Sequence, residues 1–400
     1  MNRQMLHKLL QNVEGCGFAV AYWDGITERY GDGEPAFTVT LHNEEILKSL
    51  RDDIEMGFGE GYLNGSIDVD GDLADLAAIA HRNIRLAPSK SRSGAAGTLV
   101  RLLNGGHRSL RRQEADVVHH YDLGDDFFKL WLDESMTYSC AYYRSVSDSL
   151  EQAQQQKIDH SLRKLRLAEG ERLLDIGCGW GSVVVRAAER FGARAVGITL
   201  SENQYAAACH RIRQRGLDNA DVLRCHYQEP MLREKPFDKV VSIGMIEHVG
   251  KAHLSEFVDA VKETLRPGGL ALLHHITCAA TTDPVASTTP SWGEKYIFPG
   301  SYIPSLPEMI DHITAKGFRI LDVENLRAHY QLTLDEWSRR FEKCAAQIRE
   351  QFGDRFVRTW RLYLRTASAG FKEGIHEVHQ VLCSNGLPSA LPLTREDVYG

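Results

Sequence analysis

The chain has 400 residues, enough for two or three domains, and its 43% hydrophobic and 25% charged residues are typical of a globular protein. A formal net charge of −7 argues against a function based on bulk nucleic-acid binding. No stretch has the length of a membrane span or the pattern of a signal peptide, so we expect a cytoplasmic protein. Eight cysteines without a Cys-x-x-Cys pair indicate reduced thiols and predict no metal centre.

Residues 1–87 predict a small, separate α+β domain. Runs of strand composition alternate there with amphipathic stretches and with glycine-rich or polar turns. The predicted elements are, in order, strands at 18–22 and 37–41, a helix at 43–56 that begins at Asn43, a turn at 57–61, a strand at 66–71 and a helix that begins at Leu73.

A basic segment, residues 88–114, follows this domain. Its basic side chains are Lys90, Arg92, Arg101, Arg108, Arg111 and Arg112, and no acidic residue occurs before Glu114. Such a segment is typical of a solvated linker, but the same charges would attract anionic phospholipid. Both interpretations remain open at this point.

The most informative stretch is Arg172–Gly181. Its apolar start predicts a buried strand, and three glycines follow in five residues, which lets the backbone turn sharply and approach a ligand. A dinucleotide-binding loop needs Gly-x-Gly-x-x-Gly, whereas in this chain the third glycine comes one residue early. Asp175 would repel a pyrophosphate but would suit the cationic amino-acid end of S-adenosylmethionine. The pattern resembles motif I of class I methyltransferases, with an ordinary glycine-rich turn as the alternative.

Strands and helices alternate from residue 172 to residue 276. The predicted strands are 173–176, 195–199, 220–224, 239–243 and 270–276, and the helices lie near 182–191, 202–215 and 252–265. This alternation predicts a parallel sheet with helices on both faces. A ligand crevice is expected at the carboxyl ends of the strands.

The remaining residues predict a long loop and a helical carboxyl-terminal part. Residues 277–304 are rich in Thr, Ser and Pro, and a loop of this length is often functional. A capping box at Thr333–Glu336 predicts the start of a helix, and a second helix is expected from about 355 to 370.

Seven motifs along the chain resemble those of the cyclopropane-fatty-acyl-phospholipid synthase family, which includes the mycolic acid cyclopropane synthases. They are Tyr121–Gly124, Met136–Tyr142, Leu174–Gly181, Gly197–Ser201 with Gln204, Ser242–Gly250, Lys295–Pro299 and Ile303–Ser305. The resemblance covers about residues 115–385. The first 85 residues more loosely resemble the lipid-binding domain of the phospholipid-acting members.

The resemblance implies a class I methyltransferase fold, with a Rossmann-like parallel sheet under a helical cover and an N-terminal α+β lipid-binding domain. It implies that S-adenosylmethionine methylates the cis double bond of an unsaturated phospholipid acyl chain. The carbocation then loses a proton from the new methyl group and closes to a cyclopropane. Whatever the family, an alkene cannot be activated by deprotonation, so positioning must supply much of the catalysis. The cation also needs a water-free, negative site and a base.

The resemblance also implies which residues act. The base would be a bicarbonate ion held by Cys140, Glu247, His274, Ile276 and Tyr330. The cofactor would be bound by Tyr138, Ser139, Asp175, Gly177, Gly179, Thr199 and Gln204. Taken singly, Cys140 also fits a packed small hydrophobe, His274 a core histidine and Tyr330 a surface residue near a helix cap. Strand alternation lets only one of His274 and His275 face the site. A departure from the family pattern at His226–Gln228 leaves the adenine contacts open.

The chain is therefore predicted to be an enzyme on the inner face of the membrane, bound to phospholipid acyl chains of an anionic bilayer and homodimeric. The predicted domains are a lipid-binding-like domain at 1–87, a basic linker at 88–114 and a catalytic domain at 115–400. One alternative is a fatty-acyl C-methyltransferase with a methyl-branched or methylene product, and another is a small-molecule methyltransferase. From a different class, a non-catalytic lipid-binding protein is also possible.

Overall fold

The computed structural model describes residues 2–86, 124–278, 291–388 and 391–399, so the predicted basic linker at 88–114 lies outside the described residues. The described residues divide into two compact units. The first contains residues 2–86, 291–299 and 334–375, and the second contains residues 124–278, 300–333 and 376–399 within the described ranges. Parts of the predicted 115–400 domain are therefore found in the first unit.

Helices and strands alternate along much of the described chain. The helices are Arg3–Leu10 (α1), Ile46–Asp52 (α2), Ile54–Asn64 (α3), Leu73–Leu86 (α4), Asp125–Lys129 (α5), Leu150–Lys164 (α6), Ser182–Phe191 (α7), Glu202–Gln214 (α8), Ile246–Val249 (α9), Leu254–Thr264 (α10), Trp292–Tyr296 (α11), Leu306–Ala315 (α12), Arg327–Phe352 (α13), Asp354–Lys372 (α14) and Glu396–Tyr399 (α15). The strands are Phe18–Ala21 (β1), Thr27–Tyr30 (β2), Phe37–Leu41 (β3), Ile67–Gly71 (β4), Arg172–Ile176 (β5), Arg194–Thr199 (β6), Ala220–Arg224 (β7), Phe237–Ile243 (β8), Leu265–Cys278 (β9), Phe318–Asn325 (β10) and His376–Asn385 (β11).

The first unit contains a four-stranded sheet in the order β2-β1-β3-β4, in which β1 and β3 are parallel. The predicted helix at 43–56 is wrong, because Asp53 is extended and its side chain caps a second helix by accepting from the Met56 N–H at 2.9 Å. The predicted turn at Gly57–Gly61 is also wrong, since these residues lie inside α3. A Cβ on Gly57 would lie 2.6 Å from the Ser49 backbone, so this glycine serves close helix packing.

The second unit contains a seven-stranded sheet in the order β10-β11-β9-β8-β5-β6-β7. The strands from β5 to β9 pair in parallel, as the alternating sequence pattern predicts, whereas β11 is antiparallel to both of its neighbours. This arrangement brings the carboxyl ends of β5, β6, β8 and β9 to one edge of the sheet, where a ligand site is expected.

Helices cover both faces of this sheet. Leu174 and Ile176 of β5 pack in one buried cluster with α10 and α12, while Leu173 packs in the other with α6, α7 and α8. Because neighbouring strand residues point to opposite faces, a strand buried on both sides is apolar almost throughout. Asp175, buried between Leu174 and Ile176 of this strand, therefore needs a specific explanation.

Two features of the carboxyl-terminal part differ from the prediction. Thr333 does not begin a helix, because α13 already begins at Arg327 and the Thr333 hydroxyl donates to the carbonyl of His329 at 2.7 Å. The sequence pattern also did not reveal β10 and β11. Of the helices that the structure describes, none combines the length and the apolar content needed to cross a bilayer.

Candidate active site

The loop after β5 shapes one side of a cleft in the second unit. The N–H groups of Gly177 and Cys178 both donate to the carbonyl of Ile198, at 3.0 and 2.9 Å, which folds the loop back onto β6. Gly177 has a φ of +82°, and a Cβ there would lie 3.2 Å from the Cβ of Met245. A side chain at this position would strain the backbone and crowd the cleft.

This cleft, which we call the cofactor cleft, opens to solvent. The seven residues predicted to bind the cofactor all line it: Tyr138, Ser139, Asp175, Gly177, Gly179, Thr199 and Gln204. They come from three separate stretches of the second unit, 138–139, 175–179 and 199–204, which the sheet topology brings together. Their individual contacts with the cofactor stay a prediction.

Asp175 is the buried acid of the cofactor cleft. Its side chain is 2% exposed, and its Oδ2 atom has no hydrogen-bond partner among the described residues. Burial raises the pKa of this carboxyl to about 7, although the nearby Lys157 ammonium opposes that rise. A buried carboxylate without a donor is complementary to a cation. The ammonium group of the amino-acid end of S-adenosylmethionine therefore fits beside Asp175.

The cleft is also lined by Thr199 and Gln204, at the end of β6, and by His226, where the sequence departs from the family pattern. The Thr199 hydroxyl donates to Oε1 of Gln204 at 2.8 Å, and Ser201 caps α8 by accepting from the Gln204 N–H. These bonds fix Gln204 beside the end of β6. His226 lines the same cleft, and its Nδ1 accepts from the Gln228 N–H at 3.3 Å.

Glu247 is a second buried carboxylate, on the short helix α9 that follows β8. Glu247 as a whole is 8% exposed. Its Oε1 accepts from the Ile276 N–H at 2.7 Å, and its Oε2 has no partner within the described part of the chain. Burial raises the pKa of this carboxyl to about 7, against the opposing effect of the Ile276 N–H.

Cys140 and Tyr330 are connected to this glutamate through the backbone. The Leu326 carbonyl accepts from the Tyr330 N–H at 3.1 Å and lies 3.9 Å from Sγ of Cys140. The Leu326 N–H donates to Val378, which is opposite Ile276 in the β9–β11 pair. Contacts thus connect four of the five predicted catalytic residues. Burial holds the pKa of the Cys140 thiol far above its ordinary value, so this group is a thiol and not a thiolate.

His274 lies in β9, opposite Gln380 of β11. Its Nδ1 is 3.2 Å from Nε2 of Gln380. Because an amide N–H donates, Nδ1 accepts and the neutral ring carries its proton on Nε2. Burial, together with the Lys157 charge, holds the pKa of His274 well below its ordinary value, so the ring is neutral. His275 is also buried, and its Nδ1 lies 3.1 Å from the Ile276 carbonyl.

None of the five residues that were predicted to hold the base, Cys140, Glu247, His274, Ile276 and Tyr330, lines the cofactor cleft. The two sets of residues, which the sequence analysis gives separately, therefore form two neighbouring groups in the structure. Gly244, which lines the cleft, donates its N–H to the His274 carbonyl at 2.9 Å, so the two groups share a backbone connection.

Sequence reasoning missed two buried polar residues beside the cleft, Gln154 and Lys157 of α6. Lys157 lines the cleft and is 1% exposed, and Gln154 is fully buried. A stripe of polar residues at helical spacing, at positions 154, 157, 161 and 164, was the available signal. His248 also lines the cleft, and burial lowers its pKa to about 4. It lies within the motif at 242–250, where the sequence prediction gave it no role.

Comparison with known proteins identifies the family. The model of the mycolic acid cyclopropane synthetase family matches residues 108–381, and that of a domain of unknown function matches residues 5–90. A probable fatty acid methyltransferase of Pseudomonas putida is 33% identical over 382 residues, which is 94% of this chain and 95% of the relative. The cyclopropane-fatty-acyl-phospholipid synthase of Escherichia coli K12 is 32% identical over 368 residues, covering 91% and 92%.

A solved mycolic acid cyclopropane synthase, complexed with SAH and CTAB, is 34% identical and superimposes with a TM-score of 0.64. The match covers 68% of this chain and 98% of that one. The predicted fold class and the predicted enzyme class are confirmed. The chain belongs to the mycolic acid cyclopropane synthetase family of S-adenosylmethionine-dependent methyltransferases.

Proposed function

We propose that the enzyme transfers a methylene group from S-adenosylmethionine to the cis double bond of unsaturated phospholipid acyl chains, giving cyclopropane fatty acids. The observation that carries the proposal is Glu247, a buried carboxylate whose Oε2 has no partner among the described residues, next to but outside the cofactor cleft. A reaction through a carbocation needs such a negative charge in a place that excludes water.

The residues have different roles in the proposed reaction. When bound, the cofactor supplies an electrophilic methyl group. Asp175 holds the ammonium group of its amino-acid end, and the loop at Gly177 allows the backbone to approach it. Glu247 stabilises positive charge on the methylated acyl chain, and the neutral ring of His274 adds no competing charge. Positioning of the two substrates supplies much of the rate, because the alkene is a weak nucleophile.

We propose that bicarbonate is the base and that Cys140, Glu247, His274, Ile276 and Tyr330 hold it. The Glu247 side chain fits this ion, because the free Oε2 accepts from its O–H group. The Nε2–H of His274, assigned from the bond between Nδ1 and Gln380, donates to one of its oxygens. When bound, the ion supplies the base that removes the proton.

Lipid mass spectrometry of cells that lack cyclopropane lipids tests this function. Expression of the chain should add one CH₂ unit to unsaturated acyl chains, and fragmentation should show a cyclopropane ring in place of the double bond. Soluble protein that binds S-adenosylmethionine but leaves acyl chains unchanged would contradict the proposal and would point to a different acceptor.

A second candidate function is the C-methylation of fatty-acyl chains to methyl-branched or methylene products. It is supported by the similarity to the Pseudomonas putida protein, which is named a probable fatty acid methyltransferase. The same experiment separates the two, since a retained double bond or a methylene group, with the same mass gain, identifies this second product.

We further propose that the enzyme is cytoplasmic and homodimeric and works on the inner face of an anionic membrane, with residues 1–87 as a lipid-binding domain and 88–114 as a basic linker. Replacing Arg108, Arg111 and Arg112 with Gln should weaken sedimentation with anionic vesicles, since each basic residue contributes about 1 kcal/mol near such a surface. Activity on detergent-dispersed lipid should be kept. Unchanged vesicle binding would make the segment a simple linker.

A further inference from the structure

Two polar side chains one turn apart on α6 hold the loop that contributes Tyr138 and Ser139 to the cofactor cleft. Nε2 of Gln154 donates to the carbonyls of Thr137 and Ser139, at 3.2 and 2.8 Å. Nζ of Lys157 donates to Oγ of Ser139 at 2.9 Å. Both side chains come from α6, so three hydrogen bonds tie this loop to one helix.

Lys157 is an unusual buried ammonium. Within the described part of the chain, the Ser139 hydroxyl is its one hydrogen-bond partner, and no carboxylate lies within ion-pair distance. Burial lowers its pKa to about 8, against the opposing effects of Cys140, Asp133 and Asp175. A buried cation is costly unless it is paired.

Lys164, seven residues further along the same helix, is a buried lysine whose charge is paired with carboxylates. It is 2% exposed, and its Nζ lies 3.2 Å from Asp322 and 2.5 Å from Glu324. The same helix therefore pairs one buried lysine within the protein and leaves the other facing the cofactor cleft. An anionic ligand group in the cleft would be the missing partner of Lys157.

The direction of the Lys157–Ser139 bond gives the chemistry. An ammonium only donates, so Oγ of Ser139 must accept, and the hydroxyl hydrogen is left to donate into the cleft. We propose that Lys157 is a positioning residue that acts through Ser139 to recognise the carboxylate of the cofactor's amino-acid end, while Asp175 receives its ammonium group. The cleft then matches a zwitterion, with one buried cation and one buried anion lining it.

Binding of two ligands that differ only in the carboxylate tests this inference. The probes are S-adenosylhomocysteine and its decarboxylated analogue, measured by calorimetry without any lipid, so failure of the proposed acyl acceptor cannot affect the result. The wild type should prefer S-adenosylhomocysteine. Lys157→Met should weaken S-adenosylhomocysteine roughly tenfold or more and leave the analogue nearly unchanged, because only a charge-assisted contact is lost.

Lys164→Met is the matched control, since it removes an equally buried lysine of the same helix and should keep the wild-type preference. Ser139→Ala should reduce the preference as Lys157→Met does, and the two changes together should add little. This second variant keeps the test decisive if Lys157→Met does not fold. An undiminished preference in Ser139→Ala or Lys157→Met, or equal loss for both ligands, would overturn the inference.

Discussion

Asp175 and Glu247 are similar carboxylates placed at neighbouring positions of one sheet. Asp175 lies near the carboxyl end of β5 and Glu247 follows that of β8, and these strands pair in parallel. Both are buried, each has one oxygen without a partner among the described residues, and burial raises the pKa of each to about 7. They differ in their surroundings, since Asp175 lines the cofactor cleft near Lys157, whereas Glu247 lies outside it and accepts from the Ile276 N–H.

The comparison shows that a raised pKa does not by itself assign a role. The same burial acts on both groups, so the difference must come from what the unpartnered oxygen faces. In the cofactor cleft that oxygen is available to a ligand cation. In the cluster around Ile276, we propose that it is available to a reacting acyl chain and its base. Substitutions that keep the size of each side chain should separate these roles.

Replacing Glu247 with Gln should have the largest effect. In the proposed mechanism, the change removes the negative charge that stabilises the carbocation and the acceptor for the base, so turnover should fall about 100-fold or more. The affinity for S-adenosylhomocysteine should stay within about twofold of the wild type, because Glu247 does not line the cofactor cleft. Single-turnover kinetics and calorimetry provide the two measurements.

Glu263→Gln provides a control for the loss of a carboxylate. Glu263 lies on α10, is about half exposed and pairs with Arg233 at 3.1 Å, so its replacement should leave both quantities unchanged. A parallel loss of turnover and cofactor affinity in Glu247→Gln would contradict the assignment and would make the two carboxylates part of a single binding site.

Replacing Asp175 with Asn should have the opposite pattern. The cofactor loses a charge-assisted bond to its ammonium group, so the dissociation constant for S-adenosylhomocysteine should rise roughly 10- to 100-fold. Turnover at saturating cofactor should fall much less than in Glu247→Gln. The ratio of kcat to KM for each substrate checks this, and a loss confined to kcat with intact cofactor affinity would argue against the role given to Asp175.

The difference between the two carboxylates also explains what the sequence could predict. Asp175 and its glycines lie close together in the sequence, so the local pattern indicates a loop after a strand that suits a ligand. The cluster of Glu247 with Ile276 depends on a pairing between segments 29 residues apart, and only the family resemblance connected them. The antiparallel strand β11, which carries Gln380, had no clear signal because its buried polar residues interrupt the apolar pattern.

Lys157 shows a further limit of the pattern. The helix α6 is rich in Gln, Lys, Arg and His, and a polar stripe on such a helix normally faces solvent. Burial of Gln154 and Lys157 is a property of the tertiary structure, because the loop at 137–139 covers them with carbonyl and hydroxyl acceptors. The spacing of the polar residues was visible in the sequence, but the hydrogen-bond partners of Gln154 and Lys157 were not.

The pH dependence of stability should give the most specific effect. Asp175 and Glu247 titrate near their ordinary values of 3.8 and 4.5 when unfolded and near 7 when folded. Between those values the folded state binds more protons, so each group lowers stability as the pH rises from about 4 to 7. Asp175→Asn and Glu247→Gln should each gain up to about 3 to 4 kcal/mol relative to the wild type across this range, measured by denaturant unfolding.

Saturating S-adenosylhomocysteine should then distinguish the two groups. Its ammonium partner lowers the pKa of Asp175 in the folded state, so the pH-dependent gain of Asp175→Asn should largely disappear when the ligand is present. The stability gain of Glu247→Gln should persist, because no charged group of the ligand compensates for the hydration that Glu247 loses on burial. Lys157 does not interfere with the measurement. Its pKa is about 8 in the folded state and ordinarily 10.5, so its contribution to stability changes only above pH 7. Equal ligand effects on both variants would mean that the cofactor's charge reaches both carboxylates and that their separation into two roles is wrong.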